Sequence, residues 1–253
     1  MNKFSISLLV FLFFNLSVVA QELKKEYQDM VLTFINSIKN ENVDTLKTLV
    51  RFPLRRQYPL PDIKNEKELL SRYKELFDDS LSSQIINSNI SKDWSAVGFR
   101  GIMLNRGIIW LDMDGSLIAV NYQSNYEKNK RDELIKKDRY SIHESLRDFD
   151  QPKILLETKN IRIRIDVMQN GLYRYASWPI KTSMFRKPEM IIENGTWMPE
   201  GNGGNNRFEF VYKDFIYECS INVIGPEEMP PADLTIYKNE KEIIYHSAKI
   251  IRN

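Results

Sequence analysis

The sequence has few of the residues on which disulfides, metal sites and most catalytic triads depend. Its 253 residues include one cysteine, Cys219, and two histidines, His143 and His246. A single cysteine excludes an intramolecular disulfide. Two histidines that lie far apart in the sequence argue against a zinc site or a histidine-based triad. The motifs GxSxG, HExxH, GxGxxG and GxxxxGK[ST] are also absent. We therefore expect no metal, no cofactor and no catalytic residue that a motif would identify.

An excess of charge of either sign is absent as well. The chain has 36 Lys and Arg residues against 34 Asp and Glu residues. This balance excludes a polybasic field over the whole protein, so we expect no nucleic-acid partner. A hydrophobic content of 42% and a charged content of 28% are typical of a folded globular protein and not of a disordered one.

Long apolar runs are absent after the first 20 residues. Within those residues Lys3 provides a charged start, residues 8–14 are mainly apolar, and residues 18–20 are small or short apolar side chains. This order is typical of a signal peptide, which we expect to be cleaved after Ala20. No cysteine follows that site, so a lipid anchor on a first cysteine is not expected. The mature protein is then predicted to be periplasmic or secreted, and not to span a membrane.

Hydrophobic periodicity predicts a first half made of helices followed by a sheet. Apolar residues recur at helical spacing over residues 23–38, 43–50 and 65–77, and three prolines between the last two segments exclude a helix interior there. The period then changes to two. Residues 97–123 are predicted to form a three-stranded meander with turns around Gly107 and Gly115.

The second half has a different pattern. Residues 128–151 are dense in charge and are predicted to be a solvated helix or a linker. Residues 152–253 contain seven short alternating strands, from IRIRIDV to EIIYHSAKII, separated by turn residues, which predicts an antiparallel sandwich or an open barrel. Cys219 lies in one of these strands, on the side of its apolar neighbours, and we expect it to be a buried small hydrophobic residue. The fold class is therefore α+β.

One resemblance follows from the order of these elements. The helix at 23–38, the short helix, the extended segment FPLRRQYPLPDI, the helix at 65–77 and the meander GFRGIMLNRGIIWLDMDGSLIAVNY together resemble the nuclear transport factor 2-like, or cystatin-like, superfamily. The resemblance covers residues 21–127 and implies helices packed on a curved antiparallel sheet, a cone. Through GFRGIM, RIRID, YRYASW and GNGGN, the whole chain also resembles secreted two-domain bacterial proteins of unassigned function. That second resemblance implies an envelope location and names no reaction.

The resulting division of the chain has four parts. We expect a signal peptide at residues 1–20, an α+β domain at 21–127, a charged linker or helix at 128–151, and a β-rich domain at 152–253.

The meander provides a first candidate ligand-binding surface. If Asp114 and Gly115 form a two-residue turn, Leu111 faces Ile118 and one face of the sheet is wholly apolar. The other face then carries Trp110, Asp112 and Asn121, within a mixed apolar and polar set of the type that lines ligand pockets. The alternative is a filled core beneath the helices.

The strands RIRID and YRYASW provide a second candidate surface. A two-residue turn at Asn170 and Gly171 would place Asp166 opposite Tyr175 and gather one set of polar side chains on a single face: Arg162, Arg164, Asp166, Tyr173 and Tyr175. Arginines beside tyrosines suit an anionic polymer or a glycan, through charge-assisted hydrogen bonds and stacking. The alternative is a polar lattice on an outer sheet face.

Two hypotheses for function follow. The one we favour is an exported, non-enzymatic envelope protein that binds a ligand or a protein partner. The alternative is a small acid–base enzyme, an isomerase or hydrolase, that uses Asp112 in the cone of the first domain; this would require a buried acid with a raised pKa.

Overall fold

The computed structural model of the protein describes residues 23–201 and 203–252, and for Arg252 the backbone only. The predicted signal peptide at 1–20 lies outside these residues, so it stays a prediction. No helix in the described ranges has both the length and the apolar character needed to cross a membrane.

Six α-helices occur in the described residues, and four of them begin at a side chain that caps the backbone three residues ahead. Asn42, Asn65, Asp78 and Ser124 each accept a hydrogen bond from the backbone N–H three residues ahead, at 2.9–3.1 Å. Such caps satisfy N–H groups that the first turn of a helix leaves unpaired. The helices are α1 (Lys25–Lys39), α2 (Val43–Leu49), α3 (Glu66–Leu76), α4 (Asp79–Ile86), α5 (Ile90–Asp93) and α6 (Asn125–Tyr140).

The first five helices share a core with a four-stranded antiparallel sheet. Its strands are β1 (Trp94–Ala96), β2 (Ile102–Leu104), β3 (Ile109–Leu111) and β4 (Leu117–Val120), in that order. Phe34 of α1 is fully buried, and its ring meets the ring of Trp94 edge-on at a centroid distance of 6.2 Å. The prediction of helices packed on an antiparallel sheet is correct at this level, and the three predicted helices match α1, α2 and α3. The structure adds α4, α5 and β1.

The hairpin between β3 and β4 differs from the predicted two-residue turn. Asp112 and Ser116 are joined by a 2.7 Å backbone hydrogen bond across three loop residues, and the last of these, Gly115, has φ +86°. A three-residue loop that ends in a left-handed glycine moves the register by one residue, so Leu111 pairs with Leu117 and not with Ile118. An irregularity after Trp110 restores the predicted pairing farther along the strands.

The second half is an eight-stranded closed antiparallel barrel. The strands are neighbours in chain order, and the last pairs with the first. They are β5 (Gln151–Glu157), β6 (Ile161–Val167), β7 (Tyr173–Pro179), β8 (Met190–Glu200), β9 (Asn205–Tyr212), β10 (Phe215–Ile221), β11 (Ala232–Lys238) and β12 (Lys241–Arg252). The prediction of a sandwich or an open barrel lacked β5, and pairing of that eighth strand with β12 leaves no open edge.

The barrel interior is filled by apolar side chains. Phe208, Phe210 and Tyr175 are almost wholly buried there, together with Cys219. Burial raises the pKa of the Cys219 thiol, because an apolar site disfavours the thiolate. The expectation of a buried, small hydrophobic cysteine is therefore confirmed.

Helix α6 joins the two halves through two buried ion pairs. Near its start, Glu127 binds Arg56 of the first half; near its end, Asp138 binds Arg164 of β6. The two carboxylates are eleven residues apart, which is three helical turns and places them on one face. All four side chains are less than a tenth exposed. The predicted solvated segment is thus a helix with one buried, charged face.

Candidate functional site

The three candidate residues on the meander, Trp110, Asp112 and Asn121, make contacts at or near its turns. Asp112 forms an ion pair with Arg51 and accepts a 2.7 Å hydrogen bond from the backbone N–H of Met113. Asn121 is exposed and donates a 2.8 Å hydrogen bond to the carbonyl oxygen of Gly107. The half-buried ring of Trp110 lies against the same glycine. These contacts account for the three side chains without a ligand.

The predicted Arg/Tyr face does not exist, because the β6–β7 register differs by one residue from the prediction. The loop has three residues and closes with a 2.8 Å hydrogen bond between Met168 and Leu172; its last residue, Gly171, has φ +78°. Val167 therefore pairs with Tyr173, and Asp166 with Arg174. A shift of one residue sends every side chain of one strand to the opposite face.

The five side chains divide between the two surfaces of the barrel. Tyr173 and Tyr175 point inward with the isoleucines of β6, and burial raises the pKa of both phenols. Arg164 and Asp166 lie on the outer surface, under α6 and the segment that follows it. Arg162 is half-buried: its guanidinium binds Glu157 at 2.7 Å and donates to the carbonyl oxygen of Thr182 at 3.1 Å.

Arg164 belongs to a buried network of four charges. Its guanidinium binds Asp138 and, at 2.7 Å, Asp166, which in turn accepts a 2.9 Å hydrogen bond from Arg174. Burial acts to lower the pKa of Arg164, but the two aspartates outweigh it and the pKa is raised. Its guanidinium also lies 5.0 Å from the ring centroid of Phe149. The charges of the two arginines and the two aspartates cancel. The network therefore joins α6 to the barrel and offers no unpaired positive charge to an anion.

A different site lies between the first half and one end of the barrel. Residues 54–63 form a loop whose ends, Leu54 and Ile63, are buried and pair by backbone hydrogen bonds of 2.8 and 3.0 Å. Asp62 stiffens the loop by accepting 2.8 Å hydrogen bonds from the Arg56 N–H and the Arg55 side chain. We call this segment the 54–63 loop. Its middle residues face the barrel.

Two cavities adjoin beneath the 54–63 loop, and we call them together the cleft. The first has a volume of about 790 Å³ and extends along α6 and β12; the second has a volume of about 740 Å³ and opens onto the barrel end. Arg55, Tyr58, Pro231 and Ile250 line both. Each volume falls within the usual range for small-molecule sites.

The second cavity has basic groups and no acidic group in its lining. Four basic side chains line it: Arg55, Arg56, Arg131 and Lys153. Carboxylates pair with the first two, Asp62 with Arg55 and Glu127 with Arg56. Arg131 instead donates to neutral oxygens, the Tyr58 carbonyl at 2.9 Å and the Gln151 side chain. Within the described ranges, neither Arg131 nor Lys153 has a carboxylate oxygen within 4 Å of its nitrogens.

A break in the β5–β6 ladder positions Lys153. Pro152 pairs with Asp166 and Ile154 with Ile165, so Lys153 is an extra residue in a β-bulge. A bulge re-aims a side chain that a regular ladder would direct elsewhere. Lys153 keeps access to solvent, yet the protein around it removes part of its hydration and thereby lowers its pKa. Burial likewise lowers the pKa of Arg131, against the opposing effect of the Asp132 and Asp150 carboxylates.

Comparisons of the chain with protein-family models, with curated proteins and with solved structures found no match. The interpretation of the cleft therefore depends on its own geometry and charge.

Sequence reasoning missed the cleft residues, although two local signals point to them. Arg55 and Arg56 are adjacent in a segment with several prolines, and Lys153 follows a proline at the start of a strand. A rigid loop with paired arginines and a proline-marked strand start both indicate special backbone geometry. Neither signal shows that the two segments meet, because that contact depends on α6.

We predict that Arg164→Ala lowers the free energy of unfolding by about 3–5 kcal/mol, because it leaves buried carboxylates without a partner. The matched control is Lys159→Ala in the exposed turn between β5 and β6, which should change it by less than about 0.5 kcal/mol. Urea denaturation followed by circular dichroism measures both. Equal stabilities of the two variants would show that the four-charge network is not structural.

Proposed function

We propose that this protein is an exported binding protein whose cleft holds a small anionic ligand. The observation that carries the proposal is the second cavity, where Arg131 and Lys153 face a space whose lining contains no carboxylate. Asp132 and Asp150 act on Arg131 from outside this lining, so neither places a negative charge within the cavity. An anion that enters the cavity supplies a counter-charge to both groups there.

The geometry supports binding more than catalysis. Asp112, the acid on which the alternative enzyme hypothesis depends, is an ion-pair partner of Arg51 and lines neither cavity. Its contacts give that alternative no support. The cleft instead offers hydrogen-bond donors with fixed backbone positions, which is the requirement for recognition.

Rigid supports on three sides favour a preformed site. The 54–63 loop is tied by Asp62, α6 is tied by its two buried ion pairs, and Lys153 projects from a barrel strand. A ligand then loses little free energy to ordering the protein around it.

We predict that inorganic phosphate binds the wild-type protein at low ionic strength, and that Lys153→Gln weakens this binding at least about tenfold, the usual effect of losing one charge-assisted hydrogen bond. Lys159→Gln, an exposed lysine in the turn at the far end of the same strand, should leave it unchanged. Isothermal titration calorimetry at one fixed salt concentration measures all three proteins, because salt screens such contacts.

Two results would contradict the proposal. One is an absence of heat and of thermal stabilisation with phosphate, sulfate and acetate. The other is binding that both lysine substitutions weaken equally, which would indicate attraction to overall surface charge and not to the cleft.

Export is a separate part of the proposal and has its own test. The order of charge, apolar residues and small residues in 1–20 predicts a mature chain that begins at Gln21. Intact-mass measurement of protein from a periplasmic or extracellular fraction should give that mass. Recovery of the full-length chain from the membrane fraction would refute export by cleavage.

A further inference from the structure

The second cavity joins a basic wall to an apolar floor. The floor lies at the end of the barrel where β6 and β10 finish and β7 begins. Val167, Tyr173, Ile221 and Ile250 line it there. Tyr173, Ile221 and Ile250 pack against the barrel core or belong to it, and Val167 follows the isoleucines of β6 at alternate positions. Val167, Tyr173 and Ile221 are terminal residues of their strands, and Ile250 lies two residues before the end of β12.

The floor is shallow because aromatic rings fill the barrel below it. The ring of Tyr173 meets the ring of Phe208 at a centroid distance of 5.0 Å. Deeper still, Tyr175 packs against Phe210 at 5.5 Å. An apolar group that enters from the cleft therefore stops at the level of Tyr173. The site therefore suits a short chain or a single ring.

The basic groups lie together at the rim of this floor. Arg131 reaches the first residue of β5 through its hydrogen bond to the Gln151 side chain, and Lys153 follows two residues later in the same strand. Lys153, which the bulge leaves out of the ladder, lines the same cavity as Arg131. An anionic group in this part of the cavity therefore has both cations in its lining.

We propose that the ligand of the cleft is a small amphiphilic anion, with a carboxylate or phosphate head held by Arg131 and Lys153 and a short apolar body on the Val167, Tyr173, Ile221 and Ile250 floor. This inference rests on the anion-binding function proposed above and adds the class of ligand to it. A simple inorganic anion would use the rim and leave the apolar floor in water.

The test compares acetate, hexanoate and octanoate as ligands of the full mature protein by isothermal titration calorimetry. Each methylene that the floor buries should raise the affinity about fourfold, from the free energy of burying one CH₂. The rise should stop when the chain reaches the level of Tyr173. Octyl phosphate should bind as octanoate does, whereas octanol and octyltrimethylammonium should bind at least about tenfold more weakly.

Variants locate the head group. Lys153→Gln should weaken octanoate binding at least about tenfold, by loss of one charge-assisted contact, and Lys159→Gln should not change it. Thermal unfolding of each variant, in the absence of ligand, checks that the fold is intact.

The outcomes separate this inference from the function beneath it. If acetate and octanoate bind equally well and Lys153→Gln weakens both, the anion site stands and the amphiphile inference is wrong. If no anion binds, both are wrong. Octanol that binds as tightly as octanoate would overturn the assignment of the head group, and octanoate binding that Lys153→Gln leaves intact would place the ligand elsewhere.

Discussion

The buried ion pairs at the two ends of α6 are the interaction on which the rest of the structure depends. Glu127 binds Arg56 from the first half of the chain, and Asp138 binds Arg164 from the barrel. A buried ion pair need not stabilise a fold, but separating its partners leaves an uncompensated charge in a poorly hydrated site. Neither end of α6 can therefore leave its partner at low cost. The helix holds the 54–63 loop at a fixed position relative to the barrel.

The cleft is a consequence of that arrangement. Arg131 lies one turn beyond Glu127 on the same face of α6, so the helix that joins the two halves also supplies a basic group to the space between them. The barrel supplies Lys153 and an apolar floor, and the 54–63 loop supplies the roof. None of these elements forms the site alone. This distribution explains why no short motif in the sequence marks it.

Two errors in the sequence predictions have one physical cause. Both Asp114-Gly115 and Asn170-Gly171 are common signals of two-residue turns, yet each glycine ends a three-residue loop with positive φ. In the meander, the irregularity after Trp110 limits the register error in the β3–β4 ladder to the pair Leu111 and Leu117. Between β6 and β7 no such irregularity occurs, so the predicted Arg/Tyr face was wrong along the whole strand pair. Loop length is set by the pairing of whole strands, which local sequence does not specify.

Other features were predictable because local physics determines them. Helical periodicity located α1, α2 and α3, and strand alternation located the strands from β6 to β12. The first barrel strand was missed because Pro152 and Lys153 interrupt its alternation, and without it closure of the barrel could not be foreseen. The cleft was beyond prediction from the sequence, since it requires residues from the 54–63 loop, α6 and β5 to meet.

Amide hydrogen exchange of the wild-type protein tests the central claim most directly. If the two ion pairs make α6 part of one cooperative unit with the barrel, the amides of residues 129–138 should exchange about as slowly as those of β6 and β7, because opening the helix would strand buried charges. Exchange of those α6 amides many times faster than the strand amides would show a locally opening surface helix. The cleft would then have no fixed geometry, and the ion pairs would not be the constraint on which the structure depends.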